Sequence, residues 1–410
     1  MRILLATSSF KGGGISSYAH EVINLFSNEN EMIVMVGSQN DMPIRNNKVK
    51  VYECECQDVS FHNLLKVIDI INNEIKPNVI ISNNADVISV LAPFINDDIR
   101  IITLSHSLKY IEADKSAMTE KYVDKIIAAS SQFNKDYLIK KFNIKDESKI
   151  EVIYNFVEAY VDAFAIREKK KKNKVVTIVF PGGGYPSKSP DIVLNVLTRL
   201  LSTDLQFKFY WTGNTHIFLS GLSLCKSKKD IKYLVPKDSR VCFTGRLPHR
   251  EDVTKIYADA NIFFTPSRRE GCPISLLEAM RVGTIPIVTD YPNSNKEIVE
   301  DGINGFVIPH NDIEGFVNRI VSIIEGHQKY EGIYDKSFET FEEKLSFPIW
   351  KEKMETILLN GNLYHKKRTK LSRTRLLYYV LRLKYYELQS LIYRVVEESL
   401  PVYIKLTKQK

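Results

Sequence analysis

Along this chain, short apolar runs alternate with longer stretches whose apolar residues recur every three or four positions. In the first half the runs are Arg2–Ala6, Met32–Val36, Val49–Tyr52, Val79–Ser82 and Ile101–Leu104. In the second they are Val175–Phe180, Phe207–Thr212, Arg240–Leu247, Ile262–Thr265 and Ile285–Thr289. Short runs that are apolar throughout suit strands buried on both faces, and the spacing between them suits helices. Ile15 to Phe26 is one such helix, with Ile15, Tyr18, Val22, Ile23 and Leu25 at helical spacing. Strand and helix in alternation predict an α/β chain with parallel sheets. Between the halves, the lysine run Glu168–Lys174 (EKKKKNK) marks a composition break and is expected to be a solvated interdomain hinge.

One stretch, Asn261 to Asp290, is punctuated most clearly. After the run Ile262–Thr265, Pro266–Ser267 breaks the strand, and Arg268, Arg269, Glu270 and Gly271 form a polar turn. Pro273 suits the first turn of a helix, which continues from Ile274 to Val282 and stops at Gly283 before the next strand. This is a βαβ unit whose loop opens onto a helix N-terminus at Ile274–Ser275, where free N–H groups favour a phosphate. Glu270 and Glu278 flank that position. Carboxylates beside a phosphate repel it unless they bind neutral hydroxyls, so the pattern suggests a nucleotide joined to a sugar.

Three further loops carry candidate chemistry. Lys11-Gly12-Gly13-Gly14 lies between the first strand and its helix, as a backbone cradle for a phosphate or sugar. It lacks G-x-G-x-x-G, so a dinucleotide fingerprint is not supported. Pro181 to Lys188 (PGGGYPSK) follows another strand, and Lys188 precedes a helix starting near Pro190–Asp191, where its charge adds to the helix dipole for a diphosphate. Ser105-His106-Ser107 ends a strand, the place where open α/β sheets bind ligands.

Composition changes the picture at one end only. The 410 residues are 44% hydrophobic and 26% charged, as in ordinary globular proteins with room for two cores. The net charge is +8, yet residues 361–410 hold twelve Lys/Arg against three Asp/Glu, leaving the remainder at −1. In that tail Leu377, Val380, Leu381, Lys384 and Leu388 fall at helical spacing among tyrosines and cations. A basic amphipathic helix of this kind suits an anionic membrane surface, and also packing on the body or on a partner; nucleic acid is not expected. The five cysteines form an odd set and point to reduced thiols and the cytoplasm. Cys54 and Cys56 read as buried thiols. The opening MRILLATSSF reads as a strand rather than a signal peptide, and no apolar run is long enough for a transmembrane helix. No Asp-x-Asp occurs, so a metal-clamped diphosphate is not expected.

The Glu270-x7-Glu278 spacing inside PSRREGCPISLLEAM resembles the signature of retaining glycosyltransferases of the large family 4 group. That resemblance implies the GT-B architecture, two Rossmann-like domains facing across a cleft, here with a basic helical C-terminal tail. It implies an acceptor-side domain at 1–168, a nucleotide-sugar domain at 169–345, a closing helix at 346–360 and the tail at 361–410. Asp124–Ser130 and Lys149–Val157 resemble the family's closing strands, with Asn155 a weak site candidate, and Gly302–Pro309 (GINGFVIP) its usual glycine turn and strand.

By the same resemblance the donor is a nucleotide diphosphate sugar, UDP- or GDP-linked, with no cofactor required. Glu270 holds donor-sugar hydroxyls, Glu278 the ribose, and His106 a donor-sugar contact, while Gly13 and Gly14 face the donor phosphates and the acceptor. Gly245, Arg246 and Leu247 contact the base through backbone groups. Lys188 meets the diphosphate with Gly271, Ile274 and Ser275. The family carries an arginine where this chain has Gly183, so either Arg268 or Arg246 supplies the second cation or the diphosphate is bound more weakly than in the family. The acceptor is expected to be a saccharide or lipid-linked saccharide in bacterial cell-surface synthesis. A nucleotide-sugar epimerase and a catalytically inactive binding protein anchored by its tail are the rival readings.

Overall fold

A computed structural model of the protein describes residues 1–8, 10, 14–37, 48–108, 113–158, 162–218, 226–247, 250–291, 293–359 and 367–408. By contacts the chain divides into two units. The first is Met1–Asn155 with Trp350–Ser390, and the second is Phe156–Ile349 with Leu391–Lys410.

In the first unit the apolar runs fold as β1 (Arg2–Thr7), β2 (Glu31–Val36), β3 (Lys50–Glu53), β4 (Val79–Asn83), β5 (Arg100–Ser105), β6 (Lys125–Ala128) and β7 (Ile150–Val152). They form one parallel sheet in the order β3-β2-β1-β4-β5-β6-β7. The order reverses between β1 and β4, so the carboxyl ends of these two strands form a topological switch point. Strand residues such as Leu4, Leu5, Ile80 and Ile81 are fully buried, as expected for a sheet covered on both sides. The helix Phe347–Leu359 buries Trp350 and Met354, and within this unit Trp350 Nε1 donates to the Tyr18 hydroxyl at 3.3 Å.

The second unit repeats the plan with β8 (Val176–Phe180), β9 (Phe207–Thr212), β10 (His216–Phe218), β11 (Lys226–Asp230), β12 (Val241–Gly245), β13 (Ile262–Thr265), β14 (Ile285–Thr289) and β15 (Phe306–Ile308). Its parallel sheet runs β12-β9-β8-β13-β14-β15, with the switch point between β8 and β13. β10 and β11 make a separate antiparallel hairpin that the apolar pattern did not foretell.

The structure corrects one expectation. The lysine run is not a solvated hinge. Residues Ala163–Lys171 form a helix of the second unit, and Lys170 is fully buried, its ammonium donating to Val282 O at 3.0 Å and Thr284 Oγ1 at 2.6 Å. Burial holds that amine well below the usual lysine pKa. For the basic tail, packing on the body was one of the alternatives, and the structure shows it. Its helix Arg373–Ile392 buries Leu376, Leu383 and Tyr386 in the core of the first unit. Arg368, just before it, is also buried and donates to Ile99 O at 2.8 Å and Tyr122 O at 3.2 Å. The face expected from spacing lies on the other side: Leu377, Leu381 and Leu388 stay exposed. Further on, Val402 joins the core of the second unit.

Candidate donor site and its counterpart

At the β8/β13 switch point two loops meet. One is Pro181–Lys188 after β8, and the other runs from Pro266 to Gly271 after β13. The Arg268 backbone N–H donates to Ser187 O at 2.9 Å, which zips the loops together. Across them, Lys188 Nζ lies 2.5 Å from Glu270 Oε1. The carboxylate is buried and the lysine partly so. Two residues separated widely in sequence thus present one ammonium and one carboxylate at the place where open α/β sheets bind ligands.

Gly271 is held from behind, its carbonyl accepting from the Ser294 hydroxyl. The following helix is shorter than expected, Ile274–Met280, and Pro273 is its N-cap rather than its first residue. Ile274 and Ser275 open it, and Glu278 is buried one turn on. The Tyr257 hydroxyl bonds Ser275 and feels the Glu278 charge; burial first, then that carboxylate, push the phenol well above its usual pKa. Tyr257 also lines a cavity of about 150 Å³ with Val179, Thr212, Gly213, Arg246 and Leu247. An apolar slot therefore adjoins the helix that carries Glu278. Gly245, the last residue of β12, has a positive φ of +66° and turns the chain toward that slot.

Gly183 shows why the expected arginine is missing. Its φ is +54°, and a Cβ built there would run into the carbonyl oxygen of Asn214. Gly183 N–H donates to Thr212 O at 2.9 Å, and the Trp211 indole donates to Gly183 O at 3.2 Å. The loop lies flat on the end of β9 and has no room for a side chain. Arg268, one of the two candidates for the second cation, has its guanidinium held by Asp191 in a two-pronged bridge. Arg246 is exposed beside the apolar slot.

The switch point of the first unit has its own polar cluster. Asn83, at the end of β4, donates its amide to Thr7 Oγ1 and Ile15 O, both at 3.1 Å. Its Oδ1 therefore faces His106 Nε2 at 2.7 Å and accepts the imidazole proton, which leaves Nδ1 as the ring's acceptor. Burial lowers the His106 pKa to about 4, so the ring is neutral near pH 7. Its edge packs on Tyr18, with centroids 5.0 Å apart.

Of the residues singled out from sequence, Lys188, Gly183, Arg268, Glu270, Gly271, Ile274, Ser275 and Glu278 come together on the two β8/β13 loops and the helix they lead into. Gly245, Arg246 and Leu247 gather at the adjacent slot, and His106 stands at the other sheet's switch point. Gly14 is the first residue of the helix Gly14–Phe26, while Gly13 lies outside the described residues. Asn155 closes the first unit. The sequence reading missed Asp191, Tyr257 and Asn83, whose roles depend on partners far away in the chain. It also missed His310, whose pKa falls to about 4 through burial and then the nearby Arg268 charge.

Compared with known proteins, residues 162–339 match the family model of glycosyl transferases group 1. That match lies within the second unit and is what this part of the chain is similar to. The chain is 27% identical over 205 residues to an Escherichia coli UDP-Gal:α-D-GlcNAc-diphosphoundecaprenol α-1,3-galactosyltransferase, covering 47% of this chain and 49% of that protein. It is 32% identical over 168 residues to an uncharacterized glycosyltransferase of Haemophilus influenzae, covering 41% of this chain and 44% of that one. The chain thus spans less than half the length of either relative.

Among solved structures, HepE of Anabaena in complex with UDP-glucose superposes with a TM-score of 0.68 at 17% identity, over 88% of this chain and 99% of that one. The apo lipopolysaccharide outer core galactosyltransferase WaaB gives 0.65 at 20%, over 88% and 99%. The fold is GT-B: two doubly wound α/β units, each built on a parallel sheet.

Proposed function

We propose that this GT-B chain is a retaining glycosyltransferase of the family 4 type. It moves a sugar from a nucleotide diphosphate sugar to a hydroxyl of a saccharide or lipid-linked saccharide, acting in the cytoplasm in cell-surface polysaccharide or glycolipid synthesis. The observation that carries this reading is the Lys188–Glu270 contact at the β8/β13 switch point. When the donor arrives, Lys188 turns from the carboxylate to the diphosphate, and Glu270 accepts hydrogen bonds from sugar hydroxyls. Glu278 takes the ribose hydroxyls, and the slot beside Leu247 and Tyr257 takes the base. His106, neutral, offers a hydrogen-bonding imidazole to a sugar hydroxyl.

Charge that develops on the leaving diphosphate is stabilised by Lys188 and by the backbone N–H groups at Ile274 and Ser275. The departing phosphate oxygen takes the acceptor's proton on the same face, so the anomeric configuration is retained and no separate base is needed. The donor of this reading is a UDP-sugar. The names of the E. coli galactosyltransferase and of the UDP-glucose complex of HepE support the same donor.

A thermal-shift panel of UDP-, GDP- and ADP-sugars on wild type and Glu278→Ala tests the donor. A ligand that binds only the native state raises the melting point by mass action. The expected result is a shift with UDP-sugars that is lost in the variant. No shift with any donor would remove the reading.

A further inference from the structure

The helix Arg373–Ile392 has two apolar faces, and the described residues cover only one. Leu376, Leu383 and Tyr386 sit in the core of the first unit. On the opposite side Leu377, Leu381, Tyr385 and Leu388, which follow one another at helical spacing, are 44%, 60%, 56% and 55% exposed. Contiguous apolar surface of this kind on a folded protein marks an interaction face.

Cations rim it. Arg373 and Lys384 fall along one edge of the stripe, and Arg375 and Arg382 along the other. The helix's single acid, Glu387, is held by Lys115 and Lys384 at 3.2 Å and 2.9 Å, so Lys384 is already compensated and the three arginines carry the charge of the rim. The Arg382 edge opens on a cavity of about 420 Å³, which Lys121, Lys141 and Tyr379 also line. Glu120, whose pKa burial raises, shares that cavity.

We infer that this outer stripe is a docking face for an anionic lipid bilayer, with the helix lying in the plane of the headgroups. Leucines and a tyrosine enter the interface, and the two cationic edges meet lipid phosphates. A second copy of the chain is disfavoured as occupant, because the same positive rims would face each other. The inner face is already used to hold the helix on its own unit, so the surface is rigid and oriented rather than an unfolded tail. The inference stands apart from the donor site and survives failure of the functional reading.

The test uses the full chain and sedimentation with vesicles of phosphatidylcholine alone, or of phosphatidylcholine mixed with phosphatidylglycerol. Wild type is expected to pellet with the anionic vesicles, to be released by high salt, and to ignore the neutral ones. Leu381→Gln/Leu388→Gln, both on the exposed face, should weaken binding at least roughly tenfold with an unchanged melting point and unchanged UDP binding. Arg373→Gln/Arg382→Gln should remove the preference for anionic lipid. Equal pelleting of the leucine variant and wild type would overturn the inference. So would a wild type that ignores anionic vesicles, or one that forms a concentration-dependent dimer abolished by the leucine changes.

Discussion

Arg268 and Asp191 face each other through two parallel hydrogen bonds, of 3.0 Å and 3.1 Å, with the carboxylate buried at the start of the helix Pro190–Leu201. The bridge ties the loop after β13 to the helix that follows the loop after β8, the same two loops that Lys188 and Glu270 join. The pairing makes Arg268 a clamp on loop geometry.

Breaking this bridge from one side should be expensive. Asp191→Ala leaves a largely buried guanidinium unpaired, and such losses cost about 3 kcal/mol or more. Arg268→Met/Asp191→Leu, which removes both charges, is expected to recover much of that loss. Urea unfolding of the single and double variants checks it; a single variant within about 0.5 kcal/mol of wild type would show that the pair carries little.

Restoring the arginine that related enzymes are expected to carry should fail at Gly183. The positive φ and the Asn214 carbonyl exclude any side chain there. Gly183→Ala is expected to lose roughly 1–3 kcal/mol, and Gly183→Arg to lose at least as much with no gain in donor affinity. A stable Gly183→Arg protein that binds UDP more tightly would contradict the loop geometry described above.

Acid should weaken the fold through His106. Unfolded, its imidazole takes a proton near its ordinary value of 6.5, but the folded ring refuses one until about 4. Stability is therefore intact above about pH 6.5 and declines as pH falls through that window, at most by roughly 1.4 kcal/mol per pH unit for one imidazole. His310 titrates in the same sense, so His106→Gln should flatten the decline without abolishing it. Urea midpoints between pH 7 and 4.5 measure this, and parallel curves for variant and wild type would exclude His106 as a source.

Much of the fold was legible because parallel strands buried on both faces leave unbroken apolar runs. Val79–Ser82 and Ile285–Thr289 show little else, and both are strands. The positions of Lys188 and Glu270 beside helix starts, and of Glu278 on the helix after Pro273, were legible because glycines and prolines punctuate the chain there. What could not be read depends on partners distant in sequence. Lys170 looks like a surface lysine until Val282 and Thr284 supply oxygens for its ammonium. The tail helix offered two apolar stripes, and nothing local says that Leu376 and Leu383 point inward while Leu377 and Leu381 do not. Gly183 gave no sign that the end of β9 lies against it.

The most direct test of the account is calorimetric titration of UDP-glucose and UDP into wild type, Lys188→Ala and Glu270→Gln. Charge-assisted hydrogen bonds contribute about 1.5–3 kcal/mol each, so Lys188→Ala should weaken both ligands by roughly tenfold or more. Glu270→Gln should weaken UDP-glucose more than UDP, because only the former carries the sugar hydroxyls. Wild-type affinity for both ligands in both variants would contradict the placement of the donor at this switch point.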